Sequence, residues 1–190
     1  MNLPVAPGAT GAARNQCSAG TAAHVVANPR SARAERTLLV RIVEQTLDAM
    51  EPMVVRILRD EAVSAEHALH IVVMDPTCDR RVGFEDAILL ERSFGDPAGW
   101  NADYAWYARE KTRVSWRERR SLRTLLSQCP DRLNAGDIRV EGAVRDGVWI
   151  IGASGAQPWY DHAIASVAVH LLEAALAQTS AAAAAESRAS

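Results

Sequence analysis

Between Arg36 and Leu58 the residues Leu38, Leu39, Ile42, Val43, Leu47, Met50, Val54, Ile57 and Leu58 recur at helical spacing and fall on one side of a helix. Such a helix draws most of its stability from packing that face rather than from propensity, so the rest of the chain must supply a surface for it. The spacing therefore predicts a core-packed helix, kinked near Pro52, where a backbone donor is missing. A partner follows at once. Leu69 to Met74 is a short apolar run rich in Val and Ile, closed by Asp75-Pro76, which reads as a buried strand ending in a turn. Val82 to Leu90 is expected to return as its antiparallel neighbour.

The same alternation recurs downstream. The stretch GDPAGWNAD, Gly95 to Asp103, is loop chemistry, and a helix of roughly 25 residues is expected after it, reaching Gln128 and stopped by Pro130. Strands are expected at Ile138 to Val144 and Val148 to Ala153, joined tightly through Arg145-Asp146-Gly147. A last amphipathic helix, Tyr160 to Gln178, would bury Ile164, Val167, Ala168, Leu171, Leu172 and Ala175. This order of helix, two strands, helix, two strands, helix predicts an α/β chain of the α+β kind, and 190 residues suit one domain.

Residues 1–34 carry no acidic side chain and are rich in Ala, Gly, Pro, Ser and Asn, a composition unable to offset the entropy of ordering itself. They are expected to form a disordered arm, with the folded domain at residues 35–179 and a disordered tail at 180–190. An acid-free, arginine-containing start also suits an organelle transit peptide, against which Pro4, Pro7 and the missing apolar face argue. A net charge of −2 gives no global reason to expect nucleic acid. Cys17, Cys78 and Cys129 form neither an even set nor a metal-ligand spacing, which fits a reducing cytoplasm. No membrane segment is expected, because no run of about 18 apolar residues is seen.

The candidate chemistry lies in two places. In the middle helix Arg109, Arg113, Arg117, Arg120 and Arg123 recur at three- and four-residue spacings, so a continuous helix would place them on one broad face with Trp106 and Trp116. Val114, Leu122, Leu125 and Leu126 would turn the opposite side inward. Such a face suits carboxylates, phosphates or stacking on a planar ligand, or else it is a solvated face balanced by Glu110 and Glu118. Trp100, Trp106, Trp116 and Trp159 fall in loops or on polar helix sides and add to a binding surface. Near the C-terminus, Asp161 and His162 open the last helix. Asp161 reads as an N-cap or first-turn acid, and His162 as either a polar surface residue or a neutral imidazole free to ligate a metal. Ser154-Gly155 lacks the context of a nucleophile elbow, so Gly152 and Gly155 are expected to permit close backbone approach. Cys78 sits beside Arg80 and Arg81, which could lower its thiol pKa, while His67 and His70 read as structural.

The segment IIGASGAQPWYDHAIASVAVHLLEAAL resembles the HbpS/GlcG family, which includes the PduO C-terminal domain and a branch labelled heme-degrading domain. Ser154, Gly155, Asp161 and His162 match that branch's SG-LPQ-x-x-DH element at its spacing, with Ala156, Gln157 and Pro158 in place of LPQ. Upstream, Gly95, Pro97, Asn101, Tyr107, Arg109 and Lys111 resemble its loop and basic helix, whereas only Gly136 and Ile138 remain of its GG-x-PI element. The resemblance spans about residues 38–176 and implies a profilin-like fold, a central antiparallel sheet flanked by helices, in a homo-oligomer that binds heme or a corrinoid. It implies His162 as an axial ligand, with Cys78 as the alternative, and a ligand surface of Asp161, Ser154, Gly155, Arg109, Lys111, Arg113, Arg120 and Trp116. Two other functions stay open. One is a ligand-free interaction module that uses the Trp/Arg helix face; the other is a small-molecule enzyme with His162 as base and an arginine as anion clamp.

Overall fold

The computed structural model describes residues 29–189. In chain order these form α1 (Pro29–Leu58), β1 (Leu69–Met74), β2 (Ile88–Phe94), α2 (Tyr104–Glu118), α3 (Leu122–Gln128), β3 (Ala143–Asp146), β4 (Trp149–Ser154) and α4 (Pro158–Ala189). The strands pair antiparallel throughout in the order β2-β1-β4-β3, a single α+β domain. The unbroken apolar runs of β1 and β4 are explained by their place. They are the two inner strands, every residue of each is buried, and helices cover both faces of the sheet.

Alternate residues of β1 serve alternate layers. Leu69, Ile71 and Val73 join a core with Val43, Leu47, Met50 and Val54 of α1 and Ile164, Ala168 and Leu172 of α4. Val72 and Met74 point the other way and meet Ala108 and Trp116 of α2, with Phe84, Ala87 and Ile150. A third cluster forms where Leu122 and Leu125 of α3 pack on Val114, Leu133 and Ala143. The outer strands β2 and β3 carry the charged and partly exposed residues that the inner strands lack, Glu91 and Arg92 on β2 and Arg145 and Asp146 on β3.

Several boundaries differ from the sequence expectation, each for a physical reason. The neighbour of β1 is Ile88–Phe94, because Leu69 pairs with Phe94, and the apolar side chains Val82, Phe84 and Ala87 instead close the α2-side core as a turn. The third strand starts at Ala143, not Ile138, since Gly142 adopts φ +140 against Lys111 and Ile138 packs beside α3. The hairpin is tighter than expected, with Asp146 facing Trp149 and Gly147 at φ +50. The expected 25-residue helix is two helices, broken where Arg119 takes a left-handed conformation and Ser121 starts α3. That break turns Leu122 and Leu125 into the third cluster.

Helix α1 begins at Pro29 and continues through Pro52, and α4 continues to Ala189, so residues 29–34 and 180–189 are helical rather than tails. The remainder of the expected arm lies outside the described residues. On α4, Val167 (37% exposed) and Leu171 (43%) stay on the surface, against expectation, because Ala165 and Val169 take the inner positions. By length and composition α4 is apolar enough to cross a membrane, which the expectation of no membrane segment overlooked; in this fold its first turns form a wall of the core.

The closest layer contact is at Gly152, where a Cβ would lie 1.8 Å from Thr112 Oγ1 and 3.0 Å from the Ala108 carbonyl oxygen. Gly152→Ala is expected to cost about 1–3 kcal/mol in urea unfolding, with partial recovery in Gly152→Ala/Thr112→Ala. Gly136→Ala, where the Cβ would meet nothing within 4 Å, should stay within about 0.5 kcal/mol.

Candidate functional site

The segment that follows β4 is held by a buried ion pair. Lys111 lies on the inward side of α2, 3% exposed at its side chain, and reaches past Gly142 to donate to the Asp161 carboxylate at 2.7 Å and the Ala153 carbonyl at 3.3 Å. The second Asp161 oxygen accepts from the Ala156 N–H at 2.9 Å. Burial pushes the Asp161 carboxyl up to about 6, against the pull of Lys111 and of the Ala156 hydrogen bond. Asp161 is thus the first-turn acid of α4 rather than its N-cap, one of the two roles expected of it, and it also fastens the turn between β4 and α4 to α2. Ser154 is buried in the same turn, and Gly155, at φ +138, leaves no room for a Cβ, which would sit 2.3 Å from the Ala68 carbonyl oxygen. Lys111, Asp161, Ser154 and Gly155 thus come together, as a scaffold rather than an open surface.

His162 follows on the outer side of this staple and is half-buried. Burial lowers its pKa, Arg123 lowers it further and Glu141 opposes, which favours the neutral imidazole. Its Nδ1 is shut off from solvent without a partner among the described residues. One turn before it, Pro158 lines a cleft of about 470 Å³ with Leu126, Val140, Arg123, Arg139 and Glu141. Arg123 is paired to Glu141, and that contact holds the Glu141 carboxyl low.

On α2 the arginine face is charge-balanced, which is the alternative reading with Glu110 and Glu118, and it does not extend past the helix end. Arg109 pairs with Glu91 and Glu85, Arg113 with Glu85 and Glu110 while lying 4.3 Å over the Phe84 ring, and Arg117 with Asp137 and Glu118. Arg120 stands beyond the end of α2, because the helix breaks, and Trp116 is only 5% exposed, packed in the core and covered by Arg119. Trp106 and Trp159 are exposed as expected, at 51% and 57%. Cys78 is also corrected: burial and Asp75 raise its pKa, outweighing Arg36, so the thiolate that ligation needs is disfavoured.

Two groupings were missed by sequence reasoning. His70 Nδ1 lies 2.9 Å from Ser93 Oγ and its Nε2 3.4 Å from Glu91, which Arg109 holds from α2, and Trp100 packs edge-on against the imidazole. The order hydroxyl, imidazole, carboxylate is that of a nucleophile relay, but here the carboxylate is committed to Arg109 and the network ties β1, β2 and α2 together. Cross-strand pairing of His70 with Ser93 was the missing signal, and the misplaced β2 hid it. Asp146, His170 and Glu173 bring one ligand atom each within 4.8 Å at the surface, where such groups are common without an ion.

Comparison of the chain with protein-family models, with curated proteins and with solved structures finds no match in any of the three.

Breaking the staple from one side leaves a buried charge. Lys111→Met and Asp161→Asn are each expected to lose about 3–5 kcal/mol in urea unfolding, with the double substitution Lys111→Met/Asp161→Leu costing less than their sum. Glu91 supplies a pH signature: burial raises its pKa, but hydrogen bonds from His70 and Arg109 and their charges bring it down to about 2. A depressed carboxylate stabilises the fold above its unfolded value near 4.5 and loses that contribution as pH falls toward 2. Glu91→Gln should lower the neutral-pH stability by about 1.5–3 kcal/mol and flatten the fall of Tm between pH 4.5 and 2, read by circular dichroism.

Proposed function

We propose that the chain is a cytoplasmic, self-associating binding protein for a tetrapyrrole, heme or corrinoid, of the HbpS/GlcG type and with a profilin-like arrangement of its sheet. The observation that carries this reading is a cleft with apolar walls, Leu126, Val140 and Pro158, and two guanidinium groups, Arg123 and Arg139, whose Arg123 and Glu141 also act on the charge of the half-buried His162 one turn further along α4. Apolar walls with a few polar groups are the usual make-up of a ligand site, and the volume lies in the usual range of about 300–1,000 Å³.

The donor set fits such a group. A neutral imidazole is the ligating form, and Arg139 suits a peripheral carboxylate, while Arg123, paired to Glu141, would serve only by exchanging that partner. When bound, the group would supply a metal centre. The chain's own part is to keep His162 unprotonated, through burial and the Arg123 charge, and to fix the start of α4 through Lys111 and Asp161. The exposed Trp159, Val167 and Leu171 on the same helix support self-association. The exposed Trp106 and Trp159 also suit the second reading, a ligand-free interaction module.

Absorption titration of the purified protein with hemin and then with cobalamin tests the proposal. Saturable binding is expected to at least one of them. His162→Ala should shift the Soret band and weaken affinity, whereas Arg123→Gln/Arg139→Gln should weaken it about tenfold or more with an unchanged band. Absence of saturable binding to either compound would reject the reading and leave the interaction module ahead.

A further inference from the structure

Six arginines, four of them without an ion pair among the described residues, gather where α2 ends. Arg117 and Arg119 from the end of α2, Arg120 from the link to α3, Arg80 from the turn after β1, Arg132 from the turn after α3 and Arg145 from β3 converge on one cleft of about 530 Å³. Six guanidinium groups from separate segments of a chain with net charge −2 meet a single lining carboxylate, Glu118. Glu118 is taken by Arg117 and Arg132, and the neighbouring Asp137 by Arg117. Among the described residues no carboxylate stands at ion-pair distance from Arg80, Arg119, Arg120 or Arg145.

Arg119 is held in one place by the fold. Its backbone sits at φ +52, uncommon for a residue with a side chain, and its guanidinium lies 4.5 Å over the Trp116 ring. With one face stacked, its Nη1 is buried and has no acceptor among the described residues. A guanidinium fixed by stacking and ringed by like charges suits an anion at low ordering cost.

We infer that this cleft binds a small phosphate-bearing polyanion, a diphosphate or a phosphorylated metabolite, with Arg119 as its fixed anchor and Arg80, Arg120 and Arg145 closing on it. Four unpaired guanidinium charges match an anion of charge −2 or more with several acceptor oxygens. The lining side chains are all polar or charged, so nothing recognises an apolar body, and the indole of Trp116 is covered by Arg119, so no aromatic face is offered to a base. The cleft shares no lining residue with the one beside His162, and the inference does not rest on that reading.

Isothermal titration of the full chain with inorganic pyrophosphate at fixed ionic strength tests it. One saturable site is expected per chain, with Arg120→Gln/Arg145→Gln binding at least about tenfold more weakly and Arg41→Gln, on α1, unchanged. Without ligand, Arg120→Gln/Arg145→Gln should melt no lower than the unaltered chain, because it removes repulsion and breaks no ion pair. Failure of pyrophosphate to bind at millimolar concentration, or binding undiminished in the double variant, would overturn the inference. Equal affinity for citrate would overturn the phosphate class, and tighter binding of a short single-stranded oligonucleotide with a steep salt dependence would replace the small anion by nucleic acid.

Discussion

Strands β1 and β4 have no solvated face, and most of the architecture follows from that. A strand buried on both sides needs a layer of helix above and below, which a hairpin sheet alone cannot provide. The chain meets the need with α1 and α4 on one face and α2 and α3 on the other, with Val73 and Val72 as neighbours that serve different cores. The layers are drawn close enough on the α2 side that Gly152 has no space for a methyl group beside Thr112. That closeness brings Lys111 of α2 within reach of Asp161 across the end of β4. The ion pair is thus a consequence of two-sided burial, and it sets the direction in which α4 leaves the sheet.

The elements with strong periodicity were legible in the sequence. The stripe of α1, the unbroken run LHIVVM and the antiparallel pairing all follow from residue patterns, because a 3.6-residue or continuous apolar pattern has few other resting places. The break after Glu118 was not legible. Arg119-Arg120-Ser121 contains neither glycine nor proline, and the left-handed residue is stabilised by the stacking of Arg119 on Trp116, a contact between side chains that no local rule anticipates. Register was hidden in the same way, since the apolar residues of the turn at 79–87 imitate a strand until the pairing of Leu69 with Phe94 excludes them.

Of the candidate site, the Ser154-Gly155 turn and the Asp161-His162 pair were legible as a unit, while their roles were legible only in part. Asp161 reads as a cap or a first-turn acid because it opens a helix, and nothing local shows that its two oxygens face Lys111 and the Ala156 N–H. Lys111 sits among arginines in the sequence and enters only through the resemblance, as part of a ligand surface. It points the opposite way because a position between Glu110 and Thr112 on α2 turns toward the sheet. The distinction between a surface cation and a buried one depends on helix phase, and two residues from Arg109 and from Arg113 the phase already turns Lys111 to the opposite side.

Arginine spacing alone is a poor guide to where charge acts. Along α2, Arg109, Arg113 and Arg117 are each answered by carboxylates from β2, the turn before it, α2 itself or the segment before β3, so their fields are largely cancelled locally. Past the helix end the pairing stops. The C-terminal pole of α2 offers only about half a negative charge, which favours one cation in the last turn and cannot balance Arg119, Arg120, Arg80 and Arg145 together. Natural surfaces usually disperse such repulsion, and here the fold concentrates it around a guanidinium fixed on an indole. The uneven pairing, invisible in a chain whose net charge is −2, is what separates a balanced helix face from a site with an outstanding electrostatic demand.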